Sequence, residues 1–369
     1  MMMRNKIKKI FSHLYYLSGM KRYLPLDILR GLTVALMIVV NNPGNWGAVF
    51  APLLHSKWDG CTPTDLVFPT FMFCVGMAMA FSLARFDGLN GKSVWKILRR
   101  SALIFLLGLF LNAFPDFDLR HLRIFGVLQR IACCYLFGAI LVLSLRKPSR
   151  LAVSAGALLV VYTAILLIFG DKGATLTLEG NFSTKVDVAL FGADHIYHGY
   201  GIPFDPEGPL GILSATATVL LGYLTGLFVK SRNGQDAAQT VSSLFVMGLG
   251  AVVAGLVLSI WIPINKPLWS ASYVLFCAGW AVVALAAIMY FTDVRGRTGM
   301  FEPARIFGTN ALTAYFLSGI LADCIGLTGW NREAVCTTEL LSLLYAISFM
   351  LVLWCINLVL YKKKIFIKL

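Results

Sequence analysis

The chain has 369 residues, of which 58% are hydrophobic and 14% charged, with a net charge of +14 and a mean hydropathy of +0.76. An ordinary soluble domain, near 45–50% apolar and about 25% charged, is excluded. The positive charge is scattered through short connections and not gathered on one face, which argues against a nucleic-acid footprint.

The sequence predicts an all-α integral membrane protein of about ten transmembrane helices, because apolar runs of about 20 residues span a hydrocarbon core and satisfy their own backbone. In chain order the runs are 24–41, 65–84, 94–113, 125–145, 151–169, 209–229, 240–262, 271–291, 306–323 and 338–361. They are too long for barrel strands. The third is the least clean, since Arg99 and Arg100 fall in its first turns. Trp58, Trp95, Trp261, Trp269 and Tyr361 are expected near the interfaces.

Orientation follows from Lys and Arg. One set of alternate loops carries only Lys57, Arg120, Arg123, Lys172, Lys185, Lys266 and Arg332, and nearly all the rest lie in the other set. Positive-inside bias places that other set, with both termini, in the cytoplasm. Residues 1–23 read as a basic, retained, interfacial N-terminus without an A-x-A-like cleavage site. Residues 24–361 form one transmembrane domain with outer loops 42–64 and 170–208, and 362–369 form a basic cytoplasmic tail. The second outer loop is long and carries Phe191, Tyr197, Tyr200 and Phe204, which favours a functional role. No internal repeat stands out.

Eight cysteines make no disulfide framework; a Cys324–Cys336 pair stays open, and no CxxC, HExxH or Walker-type run is present. His195 and His198 follow Asp194 at a spacing that could bind metal, but without further ligands they read as a polar loop, and no metal is expected.

Ionisable groups at membrane depth are expensive and mark functional sites by default. Asp27, Arg30 and Gly31 share a face of the first span, to which Asn41 nearly returns. Asp27 and Arg30 read as an i,i+3 ion pair or as a site where Arg30 meets an anionic ligand. Gln129 and Arg130 open the fourth span; Arg130 either snorkels to the interface or lines a polar cavity with Gln129. The densest constellation runs from Asn41 through His55 to Asp65. A His with a carboxylate ten residues on can form a base–orienter pair, although a lone loop His is more often just solvated. Asp205 and Glu207, in FDPEG, either bind a ligand or shape a turn, with Pro206 and Gly208 favouring the turn.

Six segments in order carry a family resemblance: RYLPLDILRGLTVALMIVVNNPG from Arg22, HSKWDGCTPTDLVFPTFMFCVG from His55, RIFGVLQRIACCY from Arg123, LEGNFSTKVDVALFGADHIYHG with FDPEGPLGILSA, IPINKPLWSASYVL from Ile262, and FGTNALTAYFL from Phe307. Together they resemble the heparan-alpha-glucosaminide N-acetyltransferase family, from about residue 22 onward. The resemblance implies a multi-pass transmembrane acyltransferase of the cell (inner) membrane. It would move an acetyl group from cytoplasmic acetyl-CoA, as co-substrate, to the amine of a glucosamine-type sugar on the outer side. It implies that His55, Asn41 and Asp65 are catalytic. Arg30, Gln129, Arg130, Asn265 and Lys266 would hold the acceptor or the CoA. Two motif positions depart from the family pattern: Asp59 stands for Asn in HxxWNG, and Phe125 for Pro in RIPGVLQR. No large luminal domain precedes the first span, which points away from heparan and toward an envelope or imported amino sugar. Expected partners are acetyl-CoA, the amino-sugar acceptor and the bilayer, with no nucleic acid; a homodimer is allowed but not specified. The rival reading is a multi-pass transporter of an amino sugar or envelope precursor, which repeated, Gly/Pro-broken helices would support.

Overall fold

The computed structural model describes residues 23–367. The predicted basic N-terminal segment and the last two residues of the tail lie outside that range. Among the described residues there are thirteen α-helices and no named strand. They are α1 (Leu24–Asn41), α2 (Val67–Ser82), α3 (Gly91–Ala113), α4 (Val127–Leu145), α5 (Pro148–Phe169), α6 (Phe182–Phe191), α7 (Ile212–Ser231), α8 (Ala237–Leu258), α9 (Ala271–Met289), α10 (Glu302–Thr309), α11 (Ala311–Leu327), α12 (Arg332–Val335) and α13 (Glu339–Lys362).

Eight elements are long and apolar enough to cross a membrane, and α10 with α11, bent by 70°, adds a ninth if counted as one broken span. The chain is therefore an all-α, multi-pass membrane protein. α3 is long enough at 23 residues, but its first half carries Lys92, Lys96, Arg99 and Arg100, so apolarity alone does not establish a crossing there. The break between α10 and α11 falls at Asn310, whose side chain donates to Ile365 O at 3.0 Å and accepts from Ile367 N at 2.9 Å.

The inner helices α1, α2, α4, α7 and α9 are largely buried, whereas α5, α8 and α13 are exposed along most of their apolar length. Between apolar helices in lipid the driving force is close packing, so small residues mark the seams. A Cβ on Gly76 of α2 would overlap the Val219 carbonyl of α7, and one on Gly222 would overlap the Phe73 carbonyl in return. Gly31 and Gly308 make the same reciprocal approach between α1 and α10.

The connections hold more order than the sequence suggested. Within 170–211 lies α6, capped by Asn181, whose side chain accepts from Thr184 N at 3.0 Å.

Candidate active site

His55 sits in the connection between α1 and α2. Its Nδ1 lies 2.7 Å from Asp65 Oδ1. Asp65 is fully buried, and its other oxygen accepts from Ser56 N at 3.0 Å, Thr62 N at 3.0 Å and Thr62 Oγ1 at 3.1 Å. Thr62 and Asp65 form a reciprocal capping box, and Tyr273 OH donates to the Asp65 carbonyl at 2.6 Å. A carboxylate so saturated is a fixed acceptor. It selects the tautomer with hydrogen on Nδ1 and leaves the Nε2 lone pair for chemistry.

The third member comes from far along the chain. Lys266 Nζ lies 2.9 Å from His55 Nδ1, 3.2 Å from Nε2 and 3.5 Å from Asp65 Oδ1. Burial pushes its ammonium pKa down, against the pull of Asp65 and Glu207. Asn265 does not join as a ligand-facing group. It is 2% exposed, its Nδ2 donates to Asp59 Oδ1 at 3.1 Å and its Oδ1 accepts from Leu268 N at 2.7 Å. With the Asp59–Asn265 bridge it ties the His55 loop to the Lys266 loop. Aspartate at position 59 is thus used as an acceptor for the Asn265 amide.

That loop continues into Trp269, which is 1% exposed and therefore not an interfacial anchor. Its φ of 56° places a bulky residue in the left-handed region, a strain found chiefly where structure is over-determined. The ring lies 5.0 Å from the Arg130 guanidinium, and Nε1 donates to Thr218 Oγ1 at 3.1 Å.

Arg130 does not snorkel. It is 1% exposed, and Nη2 donates to Gly208 O at 3.2 Å, while Nε and Nη1 find no hydrogen-bond partner among the described residues. Gln129 is equally buried, with Nε2 unpartnered. Asn41 ends α1 in an exposed position; no hydrogen bond joins it to His55, Asp65 or Lys266. His195 and His198 are engaged with backbone carbonyls of Leu122 and Ala193, and no metal-ligand group is found among the described residues. All eight cysteines are free, Cys324 and Cys336 included.

Arg123, Asp187 and the second side of Glu207 carried no strong sequence signal. Arg123 makes a two-pronged pair with Asp205, at 2.9 and 2.7 Å, and also reaches Glu207 Oε2 at 2.6 Å. Asp205 and Glu207 therefore do more than shape a turn. Asp187, on α6, is fully buried; burial raises its pKa from 3.8 to about 7, with the Asp205 N–H bond and the Arg130 charge opposing that and the Asp205 charge adding to it. The fold thus binds a proton that the unfolded chain releases near pH 4. Stability from this group is present below about pH 4 and is lost as the pH rises through about 7. Asp187→Asn is expected to flatten that slope, giving a Tm in detergent that differs less between pH 5 and pH 8 than the wild type's.

At the other end of α1, about 27 Å away at 1.5 Å per residue, a cavity of about 570 Å³ opens among Arg30, Arg85, Lys96 and Arg100. It runs inward to Phe71 and Ile131. Phe71 is six residues, roughly 9 Å of helix, from Asp65, and Ile131 adjoins Arg130. Arg30 is paired with Asp27 at 2.7 Å, and its Nε and Nη2 both donate to Gly308 O.

The fold and this geometry define a multi-pass α-helical membrane protein with a buried polar centre, a His–Asp–Lys group at one end and a basic cavity at the other. Residues 22–185 match the family model described as "Heparan-alpha-glucosaminide N-acetyltransferase, catalytic". The chain is 28% identical to the heparan-alpha-glucosaminide N-acetyltransferase of Homo sapiens over 353 residues, covering 78% of this chain and 51% of that protein. It is 28% identical to the Mus musculus protein over 361 residues, covering 81% and 53%. The resemblance read from the motifs therefore holds along most of the chain, and the chain spans about half the length of the curated relatives it matches.

Proposed function

We propose that this chain is a transmembrane acetyltransferase that moves an acetyl group from acetyl-CoA, bound on the cytoplasmic side, to the amine of a glucosamine-type sugar on the outer side of the cell membrane. About ten helices with both termini cytoplasmic fit the Lys and Arg distribution. The observation that carries the reading is the cavity, basic at its mouth and ending within about two turns of helix from Asp65. A nucleotide with phosphates suits the mouth, and a narrow pantetheine arm suits the inward run.

Arg30 gives its Nε and Nη2 to Asp27 and Gly308, and Arg85, Lys96 and Arg100 line the same mouth as further cations for the phosphates. Arg100→Ala is expected to raise KM for acetyl-CoA roughly tenfold, as loss of one charge-assisted contact does, with the effect shrinking at high salt. Steady-state kinetics at two ionic strengths checks this.

His55 Nε2 serves as the base that takes the amine proton as the amine attacks the thioester and returns it to the departing CoA thiolate, or it carries the acetyl group in two steps, CoA leaving in the first and the amine displacing the imidazole in the second. Asp65 orients the ring. Lys266 and Asn41 are the donors for the thioester oxygen as negative charge develops there. Gln129 and Arg130, which precede the lining residue Ile131 in sequence, carry N–H groups that are unpartnered among the described residues and can serve the acceptor or the pantetheine arm.

The bent α10–α11 element favours the second reading, a transporter, since broken helices often line substrate sites in transporters. Purified protein in proteoliposomes, given labelled acetyl-CoA and a panel of amino sugars, separates the two. Acetylated sugar supports the enzyme; uptake of unmodified sugar without acetyl-CoA supports the transporter.

A further inference from the structure

We propose that the Glu207 carboxylate, backed by Arg123 and three residues beyond Phe204 of the Trp58–Tyr200–Phe204 aromatic cluster, is the group that receives the amino nitrogen of the sugar and makes the site selective for amino over neutral sugars. The inference rests on the acetyltransferase reading and deepens it.

The first argument is charge. Arg123 holds Asp205 in a fork through Nε and Nη2. Glu207 is a second carboxylate on the same guanidinium, joined through Oε2 alone. Arg123 cancels one of the two negative charges, and Arg130, which donates to Gly208 O and lies over Trp269, makes no ion pair with the other. Lys266 does not cancel it, because its ammonium is beside Asp65 at 3.5 Å. A nearly buried carboxylate with surplus charge is costly unless a cation completes it.

The second argument is geometry. Glu207 is 8% exposed, yet Oε1 has no hydrogen-bond partner among the described residues. Phe204, three residues before Glu207, packs on Trp58 at 5.6 Å, and Lys266 and Tyr200 lie within electrostatic reach of both Glu207 and Asp65. Trp58, three residues after His55, is fixed by its Nε1 bond to Leu176 O at 2.9 Å. Its ring meets Tyr200 edge-on at 6.0 Å and Phe204 at 5.6 Å. Aromatic walls accept the C–H faces of a pyranose and also favour a nearby ammonium. One open carboxylate oxygen beside such a wall fits a sugar that bears an amine.

The test uses the full chain in detergent without acetyl-CoA, titrated with D-glucosamine and with D-glucose while tryptophan fluorescence is followed. The wild type is expected to bind glucosamine more tightly than glucose. Glu207→Gln, which keeps the size and a bond to Arg123, is expected to weaken glucosamine roughly tenfold or more and leave glucose unchanged. Trp58→Phe should weaken both sugars. If Glu207→Gln does not fold, Glu207→Asp keeps the charge and should retain part of the preference. A wild type that does not bind glucosamine or does not prefer it, or a Glu207→Gln or Glu207→Asp variant with the full wild-type preference, overturns the proposal. Acetyl transfer measured on the same preparations separates the two claims. Transfer without amine preference removes this site and keeps the enzyme, whereas amine preference without transfer keeps the site and removes the enzyme.

Discussion

His55→Ala is expected to lower acetyl transfer by roughly 10²–10⁴-fold, the range lost with a general base, while the protein still elutes as a folded species. His55 is half-exposed in its loop, and its side chain supports no packing seam. Asp65→Asn should behave differently. It loses the oriented tautomer, and it also weakens the capping box and the acceptor for Ser56 and Thr62, so both rate and Tm should fall. Radiolabelled transfer beside thermal unfolding resolves the two patterns. Near-normal transfer by His55→Ala would place the chemistry elsewhere.

Gly76→Val should severely damage the fold. The new side chain would meet the Val219 carbonyl, which belongs to the α7 backbone and cannot rotate away. Overpacking costs typically about 1–3 kcal/mol where side chains can give; here α2 and α7 must separate, which also disturbs the Gly222–Phe73 approach. Gly250→Ala on α8 is the control, since nothing lies within 4 Å of its Cβ position. It should be tolerated or slightly stabilising, because alanine is the better helix former. Detergent size-exclusion profiles and Tm values should place the two variants on opposite sides of the wild type.

The helices were legible because lipid imposes one rule along the whole chain: an unbroken apolar run must form a helix. Each of the ten predicted segments is helical. What sequence could not convey was distance in space. His55 and Asp65 were visible as a pair because they are ten residues apart. Lys266, 211 residues from His55, came into consideration through the motif resemblance, and its place against the imidazole depends on the Asp59–Asn265 tie. Trp269 looked like an interfacial anchor by position, yet a left-handed turn folds it inward over Arg130. Asp187 carried no signal, since a carboxylate in an outer loop is ordinarily solvated; only the packing of α6 buries it. The break at Asn310 was missed although Gly308 stands two residues before it, because a glycine in an apolar run also marks close helix packing, as it does here against Asp27.

The paired glycine contacts bear on what can travel through the protein. Backbones that touch at Gly31–Ala304 and Gly76–Val219 leave α1, α2, α7 and α10 little room to rock against one another. A scaffold so interlocked is poorly suited to passing a whole sugar or a nucleotide from face to face. On the acetyltransferase reading proposed above, two large molecules would stop at opposite thresholds while a two-carbon fragment is handed across the short remaining gap.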